Sequence, residues 1–327
     1  MNIQCYFKKI YPSKEVLFTS QGRGALQAVV EDFRLMNSKM ILPSFICSDV
    51  FSPLLIFNNI EPILVDCPKN SFNIRLKDIQ KKYVKGVKSV LVVHSFGEVN
   101  RDIIKLRNWC REKNLVLIED CAHCINLKFQ EEEIGSFGDA AIFSFSKTLG
   151  WNLGGAYLRN RGGISVCVEN YKISREEIIN SFNKNFFGRG IIRFLKKLGF
   201  KNNPRTNFEK IKILELPNFY FKKEINFFRL DFEHRKKIAQ NIISKFENVH
   251  GKFQLSLQNN FFYSVPLLLP LEEREKVFQD LISRGVRCNK MWNNPLSLDE
   301  EIIKKFGKIR TPNAEGFSRR IINFLIN

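Results

Sequence analysis

Two side chains of complementary chemistry stand at matching places in the stretch LVLIEDCAHCINLKFQEEEIGSFGDAAIFSFSKTLGWNLGG, residues 115–155. The apolar run from Leu115 to Glu119 ends at Asp120, and the run from Ala140 to Phe145 leads to Lys147. Short apolar runs bounded by turn signals read as buried strands of an α/β sheet. In an open α/β sheet ligands bind at the carboxyl ends of the strands, so a carboxylate and an amine delivered there can face one molecule. Pyridoxal phosphate needs that pair: a lysine amine to form a Schiff base, and an aspartate to keep the pyridine nitrogen protonated so that the ring acts as an electron sink. At about 3 Å and an effective dielectric of about 20 such a charge pair is worth on the order of 5 kcal/mol. Taken singly, an Asp after a strand is commonly a turn former and a Lys a solvated charge. Their context adds a hydroxyl at Ser144 for a phosphate oxygen, and Gly150, Gly154 and Gly155 for close backbone approach to a flat ring.

The segments IEDCAHC and GSFGDAAIFSFSKTLG, with the GG pair that follows, resemble the DegT/DnrJ/StrS family of nucleotide-sugar aminotransferases. That resemblance implies that Lys147 is the Schiff-base lysine, that Asp120 partners the pyridine nitrogen and that His123 lies beside the cofactor. Ser144 and Lys147 are closer in sequence than in many members, a spacing that marks a shorter-loop subgroup. The fold implied is that of the fold-type-I pyridoxal-phosphate transferases: α/β, with a mostly parallel central sheet covered by helices on both faces and a smaller α+β C-terminal domain.

Upstream, FTSQGRGALQAVVEDFRLMN from Phe18 to Asn37 passes from polar and glycine residues into the helical pattern Ala25, Leu26, Val29, Val30, Phe33. A loop that opens a helix leaves its first amides unpaired and so offers an anion site, although a plain cap gives the same pattern. In the family the matching loop binds the cofactor phosphate, which assigns Gly22, Arg23 and Gly24 to that task. MILPSFICSDVF and IEPILVDC follow as two apolar runs separated by a helix from about Ser48 to Asn58. Family members stack an aromatic from this turn on the pyridine ring. Phe45 is the nearest aromatic, whereas direct alignment puts Cys47 at the stacking position, and a core role for Phe45 fits the same residues.

Lys88 to Val93 reads as another buried strand, ending at His94, which is expected to be structural. Arg101 to Lys113 reads as an amphipathic helix. Strands alternating with helical spacers predict a mostly parallel sheet.

The 327 residues, 44% hydrophobic, suffice for one large and one smaller core. No run of eighteen apolar residues occurs and MNIQCYFKKIYPSKE lacks a signal-peptide apolar region, so a cytoplasmic protein is expected. Eight scattered cysteines read as reduced thiols. The CxxC formed by Cys121 and Cys124 stands alone, without the second ligand pair of a structural zinc site, so no metal is expected. The formal net charge of +19 invites a nucleic-acid reading, but no helix-turn-helix, zinc-finger or RRM signature accompanies it. A basic surface also suits a dianionic sugar nucleotide.

A large domain over residues 1–224 and a small one over 225–327 are expected. Within the first, residues 171–212 carry eleven Lys or Arg against three Glu. They read as a helical excursion packing on its own dimer, or else as a basic amphipathic element on a membrane surface. A long helix is expected from about Ile225, and Asn226 with Arg229 matches a family Asn-aromatic-Arg segment only after a one-residue slip. FFYSVPLLL, Leu271 to Arg284 and GVRCNKMW then give strand, helix and strand, with Trp292 in register with a family tryptophan. After IINFLIN the family continues into a final helix, so the small domain is expected to be shortened.

The function expected is transfer of an amino group, with glutamate implied as donor, to a nucleotide-linked keto-deoxysugar for surface polysaccharide or deoxyamino-sugar synthesis. Since the family's active site is shared across a dimer, a homodimer is expected. Three alternatives remain: a sugar dehydratase, which replaces the Schiff-base lysine by histidine; a desulfurase, using Cys288 or Cys124 as mobile nucleophile; and a basic regulator that binds nucleic acid without a cofactor.

Overall fold

The computed structural model of the chain describes residues 1–170, 210–246, 251–253 and 255–326. The first part runs α1 (Ile3–Ile10), β1 (Glu15–Thr19), α2 (Gly22–Asp32), β2 (Lys39–Pro43), α3 (Ser48–Phe57), β3 (Glu61–Val65), α4 (Leu76–Lys82), β4 (Val87–Val93), α5 (Ile103–Glu112) and β5 (Val116–Cys121). A small hairpin of β6 (Lys128–Phe129) and β7 (Glu132–Glu133) precedes β8 (Ala140–Ser144), the single turn α6 (Phe145–Thr148) and β9 (Gly155–Arg159).

Seven of these strands form one sheet in the order β1-β9-β8-β5-β4-β2-β3. β2, β3, β4, β5 and β8 are mutually parallel, and only β9 runs against its neighbours β1 and β8. The near-continuous apolar runs are the reason. Successive residues of a strand face opposite sides, and here both sides are covered. Leu117, Cys121, Phe143 and Leu158 join a core with Phe7 of α1 and Leu106 of α5. Ile118, Ile142 and Tyr157 face the other way, against Leu26 and Val29 of α2. The expected mostly parallel α/β sheet with helices on both faces is thus observed.

The remaining described elements are α7 (Phe232–Lys245), β10 (Lys252–Phe253), β11 (Ser264–Leu268), α8 (Leu271–Ser283), β12 (Cys288–Asn289), α9 (Glu300–Phe306), α10 (Pro312–Arg320) and β13 (Ile321–Leu325). An antiparallel sheet β10-β11-β13-β12 packs on α7 and α8 through Ala239, Leu281 and Phe324. Ile321–Leu325 of the IINFLIN segment are therefore a central strand, held between β11 and β12.

The helix expected from Ile225 starts later. Asn226 accepts a hydrogen bond from the Phe228 amide and closes a 3-10 turn over Phe227–Leu230, and Asp231, extended at φ −66° and ψ 114°, caps α7 by accepting from the His234 amide. The basic excursion at residues 171–212 lies outside the described residues except for 210–212. Among the described residues no helix is long and apolar enough to cross a membrane.

Candidate functional site

The carboxyl ends of β4, β5 and β8 and the start of α2 converge on a cavity of about 420 Å³. Val93, Asp120 and Ser144 reach it from the three strands, Gly22 and Arg23 from the helix, and His123, Lys147, Cys47 and Trp292 complete the wall. Parallel pairing sets Asp120 beside Val93 on one side and Ile142 on the other, so the carboxylate emerges where strand register ends and loops begin.

Lys147 sits on α6, the single turn that follows β8. That turn is pinned at both ends: the Thr148 hydroxyl donates to the Ser144 carbonyl at 2.9 Å, and the Phe145 amide donates to the Gly154 carbonyl at 2.9 Å. The lysine amine thereby lies 3.3 Å from Nε2 of His123. Asp120 is buried, and one of its oxygens accepts from the Ala122 amide at 2.9 Å. Burial pushes its carboxyl above the ordinary carboxylate range, against the opposing pull of the Lys147 charge and the Ala122 amide. The His123 imidazole is moved the other way. Burial first, and the Lys147 charge second, hold it well below its ordinary value, so the ring is neutral.

Another part of the cavity wall suits an anion. α2 begins at Gly22 with Gln21 as its cap residue, so the positive end of the helix dipole and Ser144 share the cavity wall. The Ser144 and Ser146 hydroxyls lie 3.2 Å apart, both at the cavity. Arg23, exposed at the rim, donates through Nε to the side-chain oxygen of Gln21. The close approach of α2 to the sheet depends on the glycine pair. A Cβ on Gly155 would stand 2.6 Å from the Gly22 nitrogen, and Gly154, at φ 115°, lies against the Phe145 ring. Gly155 lets β9 pass beneath the helix start, while Gly154 also lines the cavity, where the sequence placed a thin backbone.

Lys147, Asp120, His123, Ser144, Gly22 and Arg23 are all brought to one cavity. Two expected residues are not. Phe45 is fully buried, stacked on Phe72 at 5.5 Å and edge-on to Trp292 at 5.4 Å, and belongs to the core. As the first of the buried pair Phe45–Ile46 after β2, its ring is drawn into an aromatic cluster and does not line the cavity. The wall residue from this turn is Cys47, whose thiol burial pushes up while the Lys147 charge opposes the shift. Gly24 is one turn into α2, its amide bonded to the Gln21 carbonyl at 3.0 Å, and it packs on the backbone at Lys212 and Ile213.

His94 is buried outside the cavity wall. Its Nε2 meets Glu119 at 3.2 Å and its Nδ1 accepts from the Asn100 amide at 3.1 Å. His94, Glu119 and Cys121 are near enough together to hold a metal ion, but the Glu119 oxygens are already engaged by the Gly135 and Gly138 amides. Cys124, imagined as a mobile nucleophile, is fully buried, and burial raises the Cys288 thiol. Cys124 lacks the exposed setting of a reactive cysteine, and the Cys288 thiol lacks the lowered pKa. The sequence passed over Tyr263, which stacks on His123 with ring centres 4.2 Å apart, because it lies inside an apolar strand-like run that reads simply as core.

Curated relatives align with parts of the chain. A GDP-perosamine synthase of Vibrio cholerae is 36% identical over 101 residues, 30% of this chain and 27% of that protein. A dTDP-3-amino-3,6-dideoxy-alpha-D-galactopyranose transaminase of Aneurinibacillus thermoaerophilus is 30% identical over 136 residues, 41% of this chain and 36% of that protein. The matches span well under half the length of these two relatives. Among solved structures, a DegT DnrJ EryC1 StrS aminotransferase from Brucella abortus superimposes with a TM-score of 0.72 at 17% identity, covering 99% of this chain and 83% of that one, and so shares its fold. The family model for the DegT/DnrJ/EryC1/StrS aminotransferases matches residues 6–172, the part that holds Asp120, Ser144, Lys147 and the start of α2. With just over half of its length matched in this way, the chain belongs to the DegT/DnrJ/EryC1/StrS aminotransferase family.

Proposed function

We propose that this protein is a pyridoxal-phosphate-dependent aminotransferase that moves an amino group from an amino acid, glutamate by resemblance, to a keto-deoxysugar carried on a nucleotide. The observation that carries the reading is the placing of an amine, a buried carboxylate and a helix N-terminus with two hydroxyls around one cavity. This donor set fits the cofactor. Lys147 would hold its aldehyde carbon, Asp120 its ring nitrogen, and the α2 amides with Ser144 its phosphate. The cofactor supplies an electron sink for the charge that develops when the donor Cα loses its proton.

The chain's own residues do the rest. Asp120, raised by burial, gains a cationic partner when a protonated ring nitrogen is set beside it, and the low-dielectric surroundings strengthen that pairing. Lys147, once released by the incoming amine, is the base within the cavity that takes the proton from Cα and returns it on the other side of the exchange. The pinned α6 turn keeps its amine in reach throughout. Release of the keto acid before entry of the keto-sugar makes the cycle ping-pong.

A lysine at position 147 opposes the dehydratase alternative, and the buried Cys124 and Cys288 oppose the desulfurase. The exposed Phe219, Phe227 and Phe228, of which Phe227 meets Tyr6 of α1, together with Arg229 packed on Gly150 of the Lys147 loop, support a homodimer whose interface borders the site. A cytoplasmic location and a lobe division near residue 225 complete the reading. The test is incubation of the cofactor-loaded protein with glutamate and GDP- or dTDP-4-keto-6-deoxyhexose. Formation of 2-oxoglutarate together with an amino sugar nucleotide supports it. Failure with every keto-sugar nucleotide, alongside undiminished cofactor binding, contradicts the substrate class.

A further inference from the structure

The imidazole of His123 is fixed from two directions. Its Nδ1 accepts a hydrogen bond from the Phe96 amide at 3.2 Å, so in the neutral ring the single proton resides on Nε2, the nitrogen 3.3 Å from Lys147 Nζ. Its faces meet rings from the C-terminal part of the chain. Tyr263 lies 4.2 Å away at an interplanar angle of 9°, and Trp292 lies 5.3 Å away at 15°.

The backbone is shaped to make this contact. Phe96 adopts φ 58°, an uncommon conformation for a bulky residue, and this turns its amide toward His123. The segment carrying Tyr263 pairs directly with that turn: the Tyr263 amide donates to the Phe96 carbonyl at 3.0 Å and the Phe261 amide to the Gly97 carbonyl at 2.8 Å. Gly97 sits at φ 96°, and a Cβ there would stand 2.9 Å from the Tyr263 nitrogen. One short junction thus holds both the donor to Nδ1 and the ring that stacks on the imidazole.

We propose that Tyr263, seconded by Trp292, is a positioning residue that holds His123 in one orientation and one tautomer, with its Nε2 proton directed at Lys147 Nζ, which accepts it when that amine is unprotonated. The inference rests on the aminotransferase reading for its consequence in turnover, but not for its structural content. A stacked aromatic ring supplies the hold, and its hydroxyl is not required. Tyr263→Phe should therefore retain it and Tyr263→Leu should lose it.

The chain has four histidines, so selective ¹⁵N-histidine labelling gives a sparse spectrum in which the two-bond ¹H–¹⁵N pattern reports each tautomer. The measurement uses the full-length protein without cofactor at neutral pH, and His123→Gln assigns the signal. The expected result is a pure Nε2-protonated pattern for wild type and Tyr263→Phe, and an averaged tautomer pattern for Tyr263→Leu. In the loaded enzyme, Tyr263→Leu should lower kcat about tenfold with the KM for the amino donor changed less than about twofold, and Tyr263→Phe should restore kcat. An Nδ1-protonated or cationic His123 in wild type overturns the proposal, even if the leucine variant does not fold. So does an unchanged His123 pattern in a folded Tyr263→Leu. Because these spectra need neither cofactor nor substrate, a failure here is distinct from a failure of the enzymatic reading.

Discussion

Nε2 of His123 and Nζ of Lys147 stand 3.3 Å apart, although one follows β5 and the other follows β8. Parallel pairing of those two strands, Ile118 with Ala140 through Cys121 with Phe143, carries their ends to the same level and makes the contact possible. The site is thus a property of sheet register, and a change that disturbs the strand ends should disturb the chemistry more than the fold.

Asp120→Asn should separate stability from activity. Burial raises the Asp120 carboxyl in the folded chain, so the charged form is penalised above that raised pKa and the penalty vanishes only below the unfolded value of about 3.9. Removing the charge should raise the neutral-pH melting temperature of the cofactor-free protein by about 1–3 °C. The same change should lower kcat at least about a hundredfold, since an amide cannot pair as an anion with the ring nitrogen. Calorimetry and steady-state kinetics on one variant check both signs.

Acid should weaken the fold through His123. The folded chain holds this imidazole neutral, whereas the unfolded chain takes up a proton below about pH 6.5. The unfolded state then binds more protons, so stability falls as pH drops below about 6.5, by up to about 1.4 kcal/mol per pH unit. Urea midpoints at pH 7.5 and 5.5 should show a smaller loss in His123→Gln than in wild type.

Gly155→Ala should damage the anion end of the cavity. The new methyl would stand 2.6 Å from the Gly22 nitrogen, against backbone that cannot rotate away. A loss of about 1–3 kcal/mol in stability is expected, with cofactor affinity reduced because the start of α2 is displaced. Thermal denaturation and fluorescence titration with the cofactor measure the two effects.

Phe45→Leu should do the reverse. The ring fills the cluster formed with Phe72, Phe96, Trp292 and Phe317, so truncation should cost about 1–3 kcal/mol. Cofactor affinity should stay within about twofold, because Cys47 and not Phe45 faces the cavity. The same titration distinguishes a core residue from a ring-stacking one.

The sheet was legible because fully buried parallel strands are written as short apolar runs, and Asp120 and Lys147 stood out as polar residues where such runs stop. The start of α2 announced itself through glycines followed by helical periodicity. Phe45 was left between a stacking and a core role, and Tyr263 was passed over, for one reason. An aromatic in an apolar run looks the same whether it faces a core or a cavity, and which one it faces depends on contacts distant in sequence, such as Phe45 with Trp292 or Tyr263 with His123. The glycine pair was recognised, but the passage of Gly155 beneath α2 depends on a packing distance that no local pattern records. The late start of α7 was local in origin, since Asn226 and Asp231 are both strong cap formers that divide an otherwise helical run.

The central claim, that Lys147 holds pyridoxal phosphate and exchanges it with an amino donor, is tested most directly by visible absorption of the purified protein with the cofactor, before and after glutamate, beside Lys147→Ala. A visible band that forms with wild type, is lost on adding glutamate and never forms with Lys147→Ala is the predicted result. A band of equal strength in Lys147→Ala, or none in wild type, contradicts the account.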